Sequence, residues 1–152
     1  MAIVRLTLLF LLVSGFAMAD DRRAQVNYML HCQGCHLPEA EGFAGKVPPM
    51  KDFVGFFLHS EAGRDFLIRV PGVAHAALSH TEVAELMNWL LQSFSEDQLP
   101  EPFVPYTRDE VAVLRDDPER NPEAVRRAIL SDLAATIPDI AADLENESTG
   151  RR

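Results

Sequence analysis

Apolar residues recur every three or four positions through much of the chain, which is the spacing of helices that bury one face. Ala24, Tyr28 and Cys32 follow this spacing and predict a first helix over residues 21–31. Residues 37–49 interrupt the pattern with glycines and prolines, so we expect a loop there. This part of the chain is therefore predicted to be a helix followed by a long irregular connection.

The middle of the chain predicts further helices. Segment 51–58 is rich in phenylalanine and is expected to form one packed helical turn. Ser60 is placed to cap a helix that runs through Val70 and is ended by the Pro-Gly pair that follows. Ser79 and Glu82 form a capping box, which opens a helix with one apolar face. That face carries Val83, Leu86, Met87, Leu90 and Phe94.

The composition changes after Ser95, where three prolines within six residues predict an extended connection. A second capping box, Thr107 with Glu110, predicts a short helix that ends near Arg115. Asn121, followed by proline, starts another helix. Its apolar stripe is formed by Val125, Ile129, Leu133 and Ile137. We expect this stripe to bury against the preceding part of the chain, because a lone amphipathic helix is marginal in water; a partner protein is the alternative.

The N-terminal residues have the composition of a targeting segment. A positive charge at Arg5, an apolar run and an Ala-x-Ala site predict a secretory signal peptide over residues 1–19, cleaved after Ala19. The stretch from Leu6 to Ala19 has 14 residues, fewer than the roughly 20 needed to cross a bilayer. We therefore expect an exported chain with no membrane span after cleavage.

Both cysteines of the chain lie in one short segment, Cys32-Gln33-Gly34-Cys35-His36. Cys-x-x-Cys-His is the attachment signature of c-type haem, because one helical turn presents both thiols to adjacent vinyl groups and the histidine to the iron. The two cysteines are too close in sequence for a disulfide bond between them to connect distant parts of the fold. A zinc site would lack a fourth ligand, and a redox-active thiol pair would favour a βαβ context. Covalent haem c is the prediction we favour.

With this motif the chain resembles the class I monohaem c-type cytochromes. Residues 28–36 resemble the end of the family's first helix, with an aromatic side chain four positions before the first cysteine. Residues 42–49 resemble the loop after the proximal histidine, and residues 78–90 resemble the last haem-packing helix. The resemblance implies that this last helix crosses the first, with Tyr28 against Trp89 or Leu86. It covers residues 24–94, about half of the chain.

The resemblance implies an all-α fold, a class I cytochrome c-like haem domain, and the pattern after Ser95 adds a C-terminal helical extension. The haem domain would span residues 20–95. Residues 96–142 would form the Pro-rich connection and the helical extension, and residues 143–152 a disordered tail.

The resemblance also implies how one covalent haem c would be held. Cys32 and Cys35 would form the thioethers, and His36 would be the proximal axial ligand of the iron. A proline carbonyl, from Pro48 or Pro49, would accept the N–H of that imidazole and fix the orientation of the ring.

The sixth iron ligand is left open by the sequence. In the family a methionine usually lies in the loop before the last helix, but residues 70–77 contain none. We favour Met50 as the distal axial ligand, with His75 and Met87 as alternatives. An iron with no protein ligand on this side is the remaining possibility.

These features favour a periplasmic electron carrier over an enzyme. It would accept one electron from a dehydrogenase or other redox partner and pass it to a cytochrome or an oxidase. The formal charge of −9 argues against nucleic-acid binding and favours redox partners with a basic docking face. The alternative is a haem enzyme or sensor with an open distal iron, peroxidase-like or gas-binding, which the missing loop methionine supports.

Overall fold

Helices form all the regular elements of the part of the chain that the structure describes. The computed structural model describes residues 21–149, without the side chains of residues 143 and 146–149, so the predicted signal peptide lies outside it. Its helices are α1 (residues 21–31), α2 (Gln33–His36), α3 (Glu61–Arg69), α4 (Pro71–Ala74), α5 (His80–Ser95), α6 (Arg108–Arg115), α7 (Pro122–Ala134) and α8 (Pro138–Thr149), with two 3-10 helices, Val54–His59 and Glu96–Gln98. The predicted all-α fold is confirmed.

The helix starts are set by local side-chain caps, as the sequence predicts. The Ser60 hydroxyl accepts a hydrogen bond from the Gly63 N–H at 3.0 Å, which satisfies one of the free donors at the start of α3. Complete capping boxes open α5 at Ser79 and α6 at Thr107. The Asn121 side chain caps α7. These contacts span three residues, so the sequence specifies them directly.

The aromatic residues of α1 and α5 join the two ends of the predicted haem domain. Tyr28 is buried, and its ring centroid lies 5.8 Å from that of Trp89 and 5.1 Å from that of Phe94. The predicted contact of Tyr28 with Trp89 is confirmed. Because α1 carries Cys32 at its end, this cluster fixes the position of the cysteine segment against α5.

The helical extension packs on the haem domain through buried side chains. Val111 of α6, Leu130 of α7 and Ile140 of α8 are fully buried in the same core as Tyr28. Tyr106 is also buried, and its hydroxyl donates to the Arg64 carbonyl at 2.6 Å. The apolar stripe of α7 is therefore covered by this chain itself.

A bidentate ion pair adds a polar connection between α3 and α6. Arg64 donates from Nε and Nη2 to the two carboxylate oxygens of Glu110 at 2.6 and 2.9 Å. The same guanidinium lies 4.2 Å from the centroid of the Tyr106 ring. Hydrogen bonds from Arg64 lower the pKa of Glu110 against the raising effect of burial.

Two segments differ from the prediction. Pro71 does not simply end α3: it begins the short helix α4, because its fixed φ suits the first helical position. The tail predicted to be disordered from residue 143 instead continues α8 to Thr149. In α8, Ile140 is fully buried and Leu144 packs against the core, and these contacts order a segment whose composition is polar.

Candidate functional site

The cysteine segment forms a continuous turn at the junction of α1 and α2. The Cys32 N–H donates to the Tyr28 carbonyl at 2.9 Å, and the His36 N–H donates to the Cys32 carbonyl at 2.9 Å. Helical hydrogen bonding therefore passes through the motif, as expected for residues that must present two thiols and an imidazole from one turn. A Cβ added at Gly34 would meet no protein atom within 4 Å, so the space beside this backbone is open to another group.

The two thiols are free and differ in exposure: Cys32 is partly buried and Cys35 is exposed. Burial, with a smaller contribution from Cys35, raises the pKa of the Cys32 thiol to about 11. A redox-active thiol needs a low pKa, because the thiolate is the reactive form. The raised pKa of Cys32 therefore disfavours a reactive thiolate at this position.

The His36 imidazole is partly buried at the end of α2. Burial lowers its pKa, and the nearby Pro48 carbonyl offsets part of this shift. The Nδ1 atom is buried and makes no hydrogen bond. A buried ring nitrogen without a partner is unfavourable, and the neutral imidazole is the form that can ligate a metal. The choice between Pro48 and Pro49 as acceptor of the imidazole N–H stays a prediction, because Nδ1 has no partner in the structure.

Backbone and side-chain hydrogen bonds fix the loop that follows His36. The Tyr28 hydroxyl donates to the Leu37 carbonyl at 2.6 Å, and the Gly42 N–H donates to the His36 carbonyl at 3.1 Å. Gly42 has a φ of +67°, and a Cβ there would lie 2.4 Å from the Val47 carbonyl oxygen. Only glycine fits this position, so the loop has one defined path beside the imidazole.

Replacing Tyr28 by phenylalanine is expected to lower the free energy of unfolding by about 1 kcal/mol at neutral pH, the usual net value of one hydrogen bond. Burial raises the pKa of Tyr28 from 10.0 to about 12. Because the unfolded tyrosine ionises first, its contribution is complete below pH 10 and is lost as the pH rises towards 12.

Chemical unfolding of the wild type and the Tyr28→Phe variant across this pH range checks the prediction. All other ionisable groups titrate in both proteins, so their contributions cancel in the difference between the two free energies of unfolding. The difference should shrink as the pH rises above 10. A difference that stays constant through this range would contradict the assignment.

The three candidate distal ligands occupy different environments. Met50 is partly buried against the core, in the loop where its N–H donates to the Ala40 carbonyl at 2.8 Å. His75 is exposed at the C-terminal end of α4. Met87 is buried on α5 among core side chains, which matches an ordinary packing role. Ligation by Met50 remains a prediction.

One set of contacts with the segment before α5 was not predicted from the sequence. Arg115, at the end of α6, donates hydrogen bonds to three backbone carbonyls of the segment before α5. Basic residues are common in the last turn of a helix, where they interact favourably with the helix dipole. The position of Arg115 in the sequence therefore does not indicate these contacts. They join residues about 40 positions apart.

The described residues contain neither a ready-made metal cluster nor a helix suited to the membrane. Between residues 21 and 149, no group of three or more His, Cys, Asp or Glu side chains is arranged to hold a metal ion by itself. None of the helices in that range combines the length and the apolar character needed to cross a membrane.

Comparison with known proteins points to the same chemistry as the cysteine segment. A cytochrome c-552 of Thermus thermophilus is 29% identical over 129 residues, covering 73% of this chain and 86% of the relative. A second protein named cytochrome c-552, also from Thermus thermophilus, is 28% identical over 102 residues, covering 55% of this chain and 78% of the relative. Both relatives are named as c-type cytochromes, so the similarity supports that family for this chain. No family model and no solved structure matches it.

The similarity supports an electron carrier with covalently bound haem c. The residues present fit that group: two free thiols on one turn, open space beside Gly34 and a neutral, partly buried imidazole at His36. The assignment of the thioethers to Cys32 and Cys35 and of the proximal ligand to His36 remains the prediction made from the motif.

Proposed function

We propose that this cytochrome is a periplasmic monohaem electron carrier of class I, with its haem attached at Cys32 and Cys35 and ligated by His36. The observation that carries the proposal is that both cysteines of the chain fall in one Cys-x-x-Cys-His turn, which provides for one covalent haem. When bound, haem c supplies a reversible one-electron iron couple. The protein supplies attachment, burial and docking.

The roles of the chain's own residues follow from the site geometry. Cys32 and Cys35 tether the group to the α1–α2 junction, which the Tyr28 cluster holds against α5. His36 offers a neutral imidazole, because burial disfavours its charged form. Hydrogen bonds and Gly42 define the path of the loop after His36, and a site that rearranges little favours fast electron transfer.

The partners proposed are a dehydrogenase or similar donor and a cytochrome or oxidase as acceptor, each with a basic docking face. The formal charge of −9 supports this choice. Acidic residues are exposed close to the site in sequence: Glu39 and Glu41 lie three and five positions after His36. The proposed location in the periplasm depends on the signal peptide predicted over residues 1–19.

The proposal is tested by purifying the protein from a bacterial host that has the cytochrome c maturation machinery. The intact mass should exceed that of the mature chain by one haem, about 616 Da, and the increase should survive denaturation. Voltammetry should show one reversible one-electron couple. A colourless protein of unmodified mass would refute the proposal, and a mass increase of two haems would refute the monohaem assignment.

A second function, a haem enzyme or sensor with an open distal iron, is favoured by one observation. The segment before α5 contains no methionine, and its one histidine, His75, is exposed. The ferrous protein distinguishes the two functions, because an open iron binds carbon monoxide rapidly whereas a six-coordinate carrier does not. Rapid binding together with a high-spin ferric spectrum would favour the second function.

A further inference from the structure

A cavity of about 330 Å³ lies at the surface where α1 meets α5. Its apolar lining consists of Tyr28, Met29, Pro38, Trp89 and Phe94, and we call it the apolar hollow. Tyr28, Trp89 and Phe94 form the aromatic cluster that joins the two helices, with ring centroids 5.1 to 5.8 Å apart. The hollow is therefore built on packed core side chains.

The apolar surface continues from this hollow along the outer side of α1. Val26, Met29 and Leu30 are three and four positions apart, so they lie on one side of the helix, and each is more than half exposed. A single exposed apolar side chain is ordinary in a folded protein. A group of them beside a cavity is typical of a surface that binds another molecule.

A second cavity, of about 260 Å³, adjoins the first, since Glu39 and Phe94 line both. Its lining includes four exposed carboxylates, and we call it the acidic hollow. These carboxylates belong to Glu39, Asp52, Glu96 and Asp97. Lys51 is the basic residue in this lining, so one positive charge stands against four negative ones.

The negative charge of the acidic hollow is not balanced by ion pairs. Among residues 21–149, none of its four carboxylates lies in an ion pair. The last turn of α5 also ends here, and the C-terminal end of a helix carries a partial negative charge. The acidic hollow therefore favours a cationic group from another molecule.

The two hollows fit a basic protein surface better than they fit a second copy of this chain. A second copy would carry the same acidic hollow and the same formal charge of −9, and like charges across an interface disfavour binding. The apolar surface is also small. Transient electron-transfer complexes have interfaces below about 1,200 Å², whereas stable dimers need more.

The apolar hollow reaches the cysteine segment. Gln33, which lies between the two cysteines, belongs to its lining together with Tyr28. A protein seated in this hollow would therefore touch the α1–α2 junction, where the proposed haem is attached. Close approach of this kind is what an electron-transfer partner requires.

We propose that the apolar hollow and the acidic hollow together form the docking surface for a basic redox partner. The partner inserts an apolar side chain into the first and places lysine or arginine side chains over the second. This inference rests on the proposed function and deepens it, because it gives the redox partner a defined place on the molecule.

The test titrates the haem-loaded protein with the synthetic peptide Lys-Lys-Leu-Lys-Lys at low ionic strength and follows the NMR signals. The indole N–H of Trp89, the one tryptophan of the chain, and the methyl group of Met29 should shift. Salt should weaken the binding. The peptide Lys-Lys-Ala-Lys-Lys should bind at least about threefold more weakly, because it lacks the larger apolar side chain.

Variants of the protein separate the two hollows. Glu96→Gln/Asp97→Asn should weaken binding of the leucine peptide at least about threefold, because two charged contacts are lost. Met29→Gln should remove most of the difference between the leucine and alanine peptides. The control Asp116→Asn/Asp132→Asn removes the same number of charges at exposed positions outside both hollows, and its affinity should stay close to that of the wild type.

Several results would overturn the proposal. Absence of peptide binding, or shifts that spare Trp89 and Met29, would show that the hollows are not the docking surface. Equal weakening in the control variant would show attraction by net charge alone. A wild type that is dimeric in sedimentation, with these signals dependent on its concentration, would assign the surface to a second copy.

Failure of the proposed function gives a different result, namely a wild-type mass without haem. Loss of peptide binding with haem in place counts against the docking surface alone.

Discussion

Replacing both Cys32 and Cys35 by alanine is expected to abolish covalent attachment of haem, lowering the intact mass by about 616 Da beyond the substitution itself. Each single variant should retain at most one thioether and accumulate at a much lower level. The physical reason is that thioether formation needs a thiol at each of two positions on one helical turn, and the chain has no other cysteine. Intact-mass spectrometry of the denatured protein makes the measurement.

The matched control for this experiment is His31→Ala, which changes the residue directly before the motif. His31 is exposed, so its loss should leave the mass and the absorption spectrum as in the wild type. Covalent haem in the double cysteine variant would contradict the assignment. Loss of haem in the control would show that attachment depends on more than the five-residue motif.

The parts of this molecule that its sequence predicted are those decided within a few residues. The caps at Ser60, Ser79 and Thr107 join positions three apart, and the structure contains all three. The haem motif is likewise local, because two thiols and an imidazole must lie on one turn. Helical periodicity also identified the side of α7 that is buried, since it required only the spacing of apolar residues.

What the sequence could not provide are contacts between distant residues. The Arg64 pair with Glu110 spans 46 positions, and nothing in either local pattern links them. The apolar periodicity of α7 predicted that one face of the helix is buried, but it did not identify the residues that pack against that face. The last helix was not predicted for the same reason. Most of residues 143–149 are polar, and the packing of Ile140 and Leu144 on the core holds this helix in place.

For the distal ligand, the sequence likewise predicts the candidates but not the contacts that each candidate makes. The absence of methionine from residues 70–77 is visible in the sequence and left three candidates. The structure gives each a different environment: Met87 is buried in the core, His75 is exposed and Met50 is partly buried.

Removing residues 96–152 is expected to prevent the haem domain from folding as a stable unit. The extension contributes fully buried side chains to the common core, among them Val111, Leu130 and Ile140. Full burial of one such side chain stabilises the fold by about 1.5–3 kcal/mol, whereas a whole domain has a net stability of only about 5–15 kcal/mol. Loss of the ion pair between Arg64 and Glu110 would add to the deficit.

Thermal unfolding followed by circular dichroism and by the haem spectrum measures this effect, and two valines of α6 provide a matched pair. Val111→Ala removes a side chain that is fully buried, and Val113→Ala removes one that is 73% exposed. We expect a loss of about 1–2 kcal/mol for the first and almost none for the second. A truncated protein with cooperative unfolding and an unchanged spectrum would contradict this reasoning, since the extension would then serve to bind a partner and not to complete the core.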